Sequence, residues 1–167
     1  SVPNLVFIQQ ELLVANLLIN HHLFNDTILN KMIFDPEYVK LIEHYFEGME
    51  GGFSKLNKTG TFLFWALPKG AKYRLQLWRD GDYLTSENGE YKIRLTPDNI
   101  KEALKNQALI PSMLLTFFVL SFYYGLKCLG GFCQVNYLTF MKDAYVKMQA
   151  ELQNYKAIEA CVRVQTK

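Results

Sequence analysis

A long stretch without charge constrains the fold more than any other feature of this sequence. No charged residue occurs from Asn106 to Leu126, and Lys127 is the only one before Lys142. About 20 apolar residues can span a bilayer, but Pro111 lies near the start, hydroxyl side chains interrupt the run, and no Lys/Arg cluster sets an orientation. A membrane span is therefore disfavoured. We expect a central core helix over 110–129, with a helix covered by a partner chain as the alternative.

The N-terminal segment is similarly apolar. Residues 4–24 indicate a helix whose only charge is Glu11. A helix with so little polar surface is usually buried on most sides. Half of the 167 residues are apolar and 14 % are aromatic, so the chain can bury enough surface to offset the entropy of ordering. We expect an ordered domain.

Three further helices are predicted, two of them from capping signals. Asp35-Pro36-Glu37 combines a carboxylate cap, a proline at the first helical position and an acidic first turn, and Gly51-Gly52 is the expected stop. Thr96-Pro97-Asp98 repeats this chemistry and predicts a short helix to about Gln107. Apolar residues at three- and four-residue steps predict a last helix over roughly 134–160.

Between these helices, residues 60–95 change to the alternating pattern of strands. The strand from Phe62 to Leu67 is apolar on both faces and is expected to be central. A second strand covers 73–78, and Asp80-Gly81 and Asn88-Gly89 bracket short strands near 83–86 and 90–95. The predicted fold class is therefore α+β: five helices packed on a four-stranded antiparallel β-meander, in a single domain over 1–167.

Charge and cysteine content exclude some classes of partner. The net charge is +2, distributed as −3 over residues 1–60, +2 over 61–105 and +3 over 106–167. Without a run of like charges, nucleic-acid binding is not expected. Three cysteines cannot all pair with one another, which favours a reducing, cytoplasmic location. No signal-peptide pattern is present, and the initial serine suggests a processed product or fragment.

The string from Gly130 to Tyr137 is the most motif-like in the chain. Paired Gly130 and Gly131 let the backbone approach a ligand, and the following helix offers free N–H groups. The polar side chains expected to line this small-molecule pocket are Gln134, Asn136 and Tyr137. The alternative is a glycine helix cap and a tight corner between two helices.

Histidine and cysteine residues are the catalytic candidates. His22 and Asp26 are four residues apart, and Glu43 and His44 lie on the next helix, so this set could hold a divalent metal or supply a general base. No metal-binding motif accompanies them, so no residue is assigned as a metal ligand, and the sequence does not identify a cofactor. Cys128 or Cys133 could act as a nucleophile near the glycine corner. Structural histidines and small core cysteines are the alternatives.

A mixed aromatic and cationic face is expected on the sheet. Trp78, Arg74 and Arg79, with Tyr83 across the hairpin, could stack a ring or recognise a carboxylate. Ordinary cross-strand pairing explains the same residues.

Three functions fit these patterns. The first is a small-molecule-binding or substrate domain of a metabolic enzyme, with its pocket near the Gly130–Gly131 corner. The second is an interaction domain that buries helix 4–24 or helix 110–129 against another chain or a second copy. The third is a hydrolase or transferase with a cysteine or histidine site.

Overall fold

The computed structural model describes residues 8–127 and 132–164 of the chain. Within these ranges, short strands lie between helices. The helices in these ranges are α1 (Gln10–Leu17), α2 (Ile28–Phe34), α3 (Pro36–Phe46), α4 (Pro97–Lys105), α5 (Met113–Phe117), α6 (Phe132–Glu151) and α7 (Tyr155–Val162). The strands are β1 (Phe64–Ala66), β2 (Leu75–Gln76), β3 (Trp78–Asp80), β4 (Tyr83–Thr85), β5 (Lys92–Arg94) and β6 (Leu109–Pro111). α1 and α5 continue as π-helical turns over Leu18–His22 and Phe118–Tyr123. The α+β class is confirmed.

The predicted starts of α3 and α4 are confirmed. The Asp35 side chain accepts a hydrogen bond from the backbone N–H of Glu37 at 2.9 Å, and Pro36 is the first helical residue. In α4, Thr96 is the cap and Pro97 is the first helical residue. However, α3 ends at Phe46, before Gly51-Gly52, because the backbone of Glu47 is already extended, with a ψ of 127°, and Gly48 follows with a φ of 74°.

The predicted four-stranded meander is wrong, because its strands belong to two sheets. In the first sheet, β1 is central and pairs antiparallel with β2 on one side and β6 on the other. In the second, β3, β4 and β5 form an antiparallel meander. The expected central position of the 62–67 strand and the short strands near 83–86 and 90–95 are confirmed.

Leu77 separates the two sheets within the predicted strand 73–78. Its side chain is buried, and its carbonyl accepts a 2.5 Å hydrogen bond from the Thr61 hydroxyl. This side chain-to-backbone bond replaces a ladder bond. The strand therefore ends at Gln76 and a new one begins at Trp78.

The uncharged segment begins as a strand and becomes a buried helix. Residues 109–111 form edge strand β6, where the missing N–H of Pro111 is tolerated. Ser112 caps α5, and every residue from Leu114 to Phe122 is buried. The expected core helix is present, but it spans residues 113–123 rather than the predicted 110–129. No helix in the described ranges is long and apolar enough to cross a membrane.

The single last helix predicted over 134–160 is in fact two helices. α6 ends at Glu151, and Gln153 adopts a positive φ of 55° that a helix cannot contain. Asn154 then caps α7 by accepting from the backbone N–H of Ala157. The helix α2, capped by Thr27, was not predicted at all.

Candidate functional site

Most of the predicted pocket at the glycine corner lies outside the described residues. This applies to Gly130 and Gly131 and to the side chains of Cys133 and Gln134, which belong to the first turn of α6. Asn136 is described and is exposed on α6. The ligand and nucleophile roles predicted here remain predictions.

Tyr137 is half-buried beside Phe117. The two ring centroids are 6.1 Å apart. A β-carbon added at Gly51 would lie 2.9 Å from the Tyr137 ring, so the turn at Gly51 packs directly on this side chain. Tyr137 therefore supports Phe117, which itself lines the cleft described below.

His22 is a buried histidine with both ring nitrogens engaged. Its Nδ1 lies 3.0 Å from the Thr27 hydroxyl, and its Nε2 lies 2.9 Å from the Tyr124 hydroxyl. Burial, assisted by the neighbouring His21, lowers the pKa of His22 to about 4. The ring is neutral at pH 7, with one nitrogen donating and the other accepting. In this arrangement His22 links the π-helical turn of α1 to the end of the α5 segment, and neither nitrogen is free for a metal or substrate.

His44 lies on the surface of α3. Its ring contacts Tyr45 edge-on, with centroids 4.8 Å apart. In the described ranges, no group of three or more His, Cys, Asp or Glu side chains could hold a metal ion. The predicted set of His22, Asp26, Glu43 and His44 is thus not assembled into a metal site.

The four residues predicted to share one aromatic and cationic face have different neighbours. The Trp78 ring packs against Phe53 at 6.2 Å. The Arg79 guanidinium donates to the backbone carbonyls of Ile33 and Phe34 at 3.2 and 3.1 Å, which is a structural role. The Tyr83 ring makes a cation–π contact with the ammonium group of Lys92. Arg74 alone of the predicted cations covers an indole ring, and that ring belongs to Trp65.

The pairing of β1 with β2 brings Arg74 onto Trp65. Trp65 is directly opposite Gln76, so Arg74, two residues before Gln76, is on the same face at a diagonal position. The guanidinium carbon lies 4.2 Å from the Trp65 ring centroid, within cation–π distance. Arg74 forms no ion pair with any carboxylate of the described residues. It is an exposed cation held in place by a tryptophan.

Arg74 and Trp65 line a cleft of about 430 Å³, which we call the Arg74 cleft. Its other lining residues come from α1, the loops at residues 52 and 60–61, the end of β6, and α5: Gln10, Glu11, Gly52, Gly60, Thr61, Pro111, Met113, Thr116 and Phe117. Thr116 is only 5 % exposed, and its hydroxyl makes no hydrogen bond to another described residue. The volume is in the range of small-molecule sites.

One wall of the Arg74 cleft depends on the absence of a side chain at Gly60. A β-carbon there would lie 2.4 Å from the Gly52 carbonyl oxygen, and φ is 65°. The Gln76 amide donates to the carbonyls of Lys58 and Gly60 at 2.9 and 2.8 Å. These contacts fix the loop against β2, beside Trp65.

Two further hollows meet at Arg74. The apolar hollow, about 230 Å³, is lined mainly by Leu12, Ala15, Leu67, Leu104, Leu109 and Ile110, with Glu11 and Arg74 at its polar side. The outer groove, about 420 Å³, runs from Trp65 and Arg74 to residues 86–88. Glu87 in this groove is paired with Lys58.

Trp65 was missed by the sequence reasoning as a site residue. The alternating pattern placed Arg74 within a strand over 73–78, but β2 begins one residue later, at Leu75, and the pattern offered Trp78 as the partner of Arg74. The signal that would have found Trp65 is the strand register, which brings residues 65 and 76 together. No protein family, curated protein or solved structure matches this chain.

Proposed function

We propose that this chain is a small-molecule-binding domain that recognises an organic anion at Arg74 and Trp65. The observation that carries the proposal is the exposed guanidinium held over the Trp65 ring without a carboxylate partner among the described residues. The small-molecule class agrees with the sequence-based expectation. The site differs from the pocket predicted at the Gly130–Gly131 corner.

The chemistry of arginine favours an oxyanion as the ligand. A guanidinium keeps its charge at all physiological pH values and presents planar donors that match a carboxylate in bidentate geometry. The Trp65 ring holds the guanidinium in one orientation, so less side-chain freedom is lost when the ligand binds. The Thr116 hydroxyl, which makes no hydrogen bond to another described residue, adds a polar group inside the same cleft.

Titration with simple carboxylates tests the proposal. The probes are benzoate and hexanoate, compared with hexanamide and hexylammonium, which have similar size but no negative charge. In a Trp78→Phe background, Trp65 is the only tryptophan, so a saturable change in emission places the ligand near Trp65. We expect both carboxylates to bind at least about tenfold more tightly than the amide or the ammonium ion.

Substitution of the arginine provides the matched control. We expect Arg74→Gln to weaken carboxylate binding at least about tenfold, because a charge-assisted bidentate contact is lost. Arg94→Gln removes an exposed arginine of β5 that lines none of the three hollows, and it should leave binding unchanged. Equal carboxylate affinity in the Arg74→Gln variant and the unsubstituted chain would refute the proposal.

A further inference from the structure

We infer that the anion bound at Arg74 is an amphipathic monocarboxylate whose apolar tail enters the apolar hollow between α1, α4 and β6. This inference rests on the proposed function and specifies its ligand class. The apolar hollow and the Arg74 cleft share Glu11, Arg74 and Pro111 in their linings. A ligand can therefore present its head to the guanidinium while its tail lies in the hollow.

The lining of the apolar hollow matches a hydrocarbon chain. Most of its walls are aliphatic, contributed by Leu12 and Ala15 of α1, Leu104 of α4, and Leu109 and Ile110 of β6. Its 230 Å³ equals about eight water-sized volumes of about 30 Å³ each, enough for a chain of about six carbons. An apolar tail would displace water from aliphatic surface, which is favourable for each methylene buried.

The charges around the apolar hollow favour a single negative charge on the ligand. Arg74 is the only cation among the described residues of its lining, and Glu11 contributes a carboxylate. Glu11 forms no ion pair with a described residue. Either head would meet the Glu11 carboxylate as a like charge, but a carboxylate head carries one negative charge that Arg74 can compensate, whereas a dianionic phosphate carries two against the same single cation.

The polar character of the Arg74 cleft makes it a poor site for the tail. Gln10, Glu11, Thr61 and Thr116 line that cleft, and the outer groove ends at Ser86, Glu87 and Asn88. An alkyl chain in either place would displace water from polar groups without replacing their hydrogen bonds. Of the three hollows that meet at Arg74, the apolar hollow suits the tail best.

A chain-length series tests this inference on the whole chain. Acetate, butyrate, hexanoate, octanoate and decanoate are titrated, with NMR shifts of the protein as the readout for the weak short acids. We expect affinity to rise up to about fourfold per added methylene and to level off beyond about six carbons, when the hollow is filled. Hexyl phosphate should bind more weakly than hexanoate. In Glu11→Gln, the difference in affinity between these two ligands should be smaller.

Two variants locate the tail. Ala15→Leu adds volume inside the hollow and should flatten the dependence of affinity on chain length. Leu12→Gln changes a side chain that is 38 % exposed at the rim, so it should fold even if Ala15→Leu does not, and it should reduce the gain per methylene. Leu56→Gln, at an 88 % exposed position outside all three hollows, is the control and should change nothing.

The outcomes separate this inference from the proposed function. If acetate binding depends on Arg74 but chain length has no effect on affinity, the inference is refuted and the anion site stands. The same holds if the gain in affinity per methylene is equal in Leu12→Gln and the unsubstituted chain. If no carboxylate binding depends on Arg74, both are refuted. Tighter binding of hexyl phosphate than of hexanoate would overturn the assignment of a monocarboxylate.

Discussion

His22 and Gln149 are both buried polar residues, but within the described part of the chain only His22 has hydrogen-bond partners for its side chain. His22 bonds to Thr27 and Tyr124 through its two ring nitrogens. Gln149 has no exposed surface, and neither its side-chain nitrogen nor its oxygen has a hydrogen-bond partner among the described residues. Burial of a polar group costs free energy that hydrogen bonds recover. The two residues should therefore respond to substitution in opposite directions.

The free energy of unfolding should fall as the pH drops from 6.5 towards 4, because of His22. Burial lowers its pKa from the ordinary 6.5 to about 4 in the folded state, so the unfolded chain binds the proton first. The contribution of the neutral ring is fully present above pH 6.5. Between pH 7.5 and pH 5 the loss from this group is about 2 kcal/mol, measurable by urea unfolding at each pH.

Two substitutions isolate this effect from other titrating groups. His22→Gln should lower stability at pH 7.5 and remove about 2 kcal/mol of the pH dependence. His44→Gln replaces an exposed histidine and should keep the full dependence. The same dependence in His22→Gln and the unsubstituted chain would contradict the assignment.

Gln149→Leu should stabilise the protein by about 1 kcal/mol. The substitution keeps a similar volume and removes an amide that is buried without a hydrogen-bond partner in the described structure. Gln76→Leu is the opposite case, since the Gln76 amide donates to two carbonyls, and it should destabilise. Thermal and urea unfolding of both variants measure whether the free energy of unfolding rises or falls. A loss of stability in Gln149→Leu would show that the amide has a partner such as a bound water.

At the scale of elements, the predictions that depend on residues close together in the sequence are confirmed. Those that depend on contacts between distant residues are not. The starts of α3 and α4 follow from caps and prolines that lie within a few residues of each other. The break between the sheets depends on the bond from Thr61 to the Leu77 carbonyl, sixteen residues away. The break between α6 and α7 depends on a positive φ at Gln153, which is not a glycine and gives no sequence signal.

The candidate site illustrates the same limit. Alternation predicted that Arg74 lies on a strand face, and this was sufficient to select it as a binding residue. The partner of Arg74 is determined by register, because Trp65 and Gln76 are paired. Register follows from how residues 67–74 turn, which alternation does not specify. The sequence therefore identified the cation but not the ring that holds it.

The loop that forms the wall of the Arg74 cleft should not tolerate a side chain at Gly60. Alanine there would combine a positive φ with a β-carbon 2.4 Å from the Gly52 oxygen, and we expect a loss of about 2 to 4 kcal/mol. Gly70 also has a positive φ, 82°, but a β-carbon there would meet nothing within 4 Å. Gly70→Ala should cost only about 1 kcal/mol. Equal losses in urea unfolding would show that the contact with Gly52 is unimportant.

At the scale of the whole molecule, residues 61–63 join the two sheets to the central helix. Thr61 donates to Leu77, which lies between β2 and β3. The carbonyls of Phe62 and Leu63 accept from the hydroxyl and the backbone N–H of Ser112, the cap of α5. The buried residues 114–122 are covered by other elements of the same chain. We expect the sheets and helices to unfold together.

Thr61→Val tests this coupling. The substitution keeps the shape of the side chain but leaves the buried Leu77 carbonyl without its donor, so we expect a loss of about 1 to 3 kcal/mol. Thr85→Val is the control: the Thr85 hydroxyl donates to the Ser86 carbonyl at 3.2 Å in a half-buried position, where the loss should be about 0.5 kcal/mol or less.

Unfolding in urea is followed by tryptophan fluorescence, which reports Trp65 in one sheet and Trp78 in the other, and by far-ultraviolet circular dichroism, which reports the helices. Because residues 61–63 contact both sheets and α5, the two transitions should coincide in the unsubstituted chain and shift together in Thr61→Val, with an unchanged dependence on urea. Separate transitions in the unsubstituted chain, or a loss in Thr61→Val no larger than in Thr85→Val, would mean that the sheets and the central helix are stabilised independently of this segment.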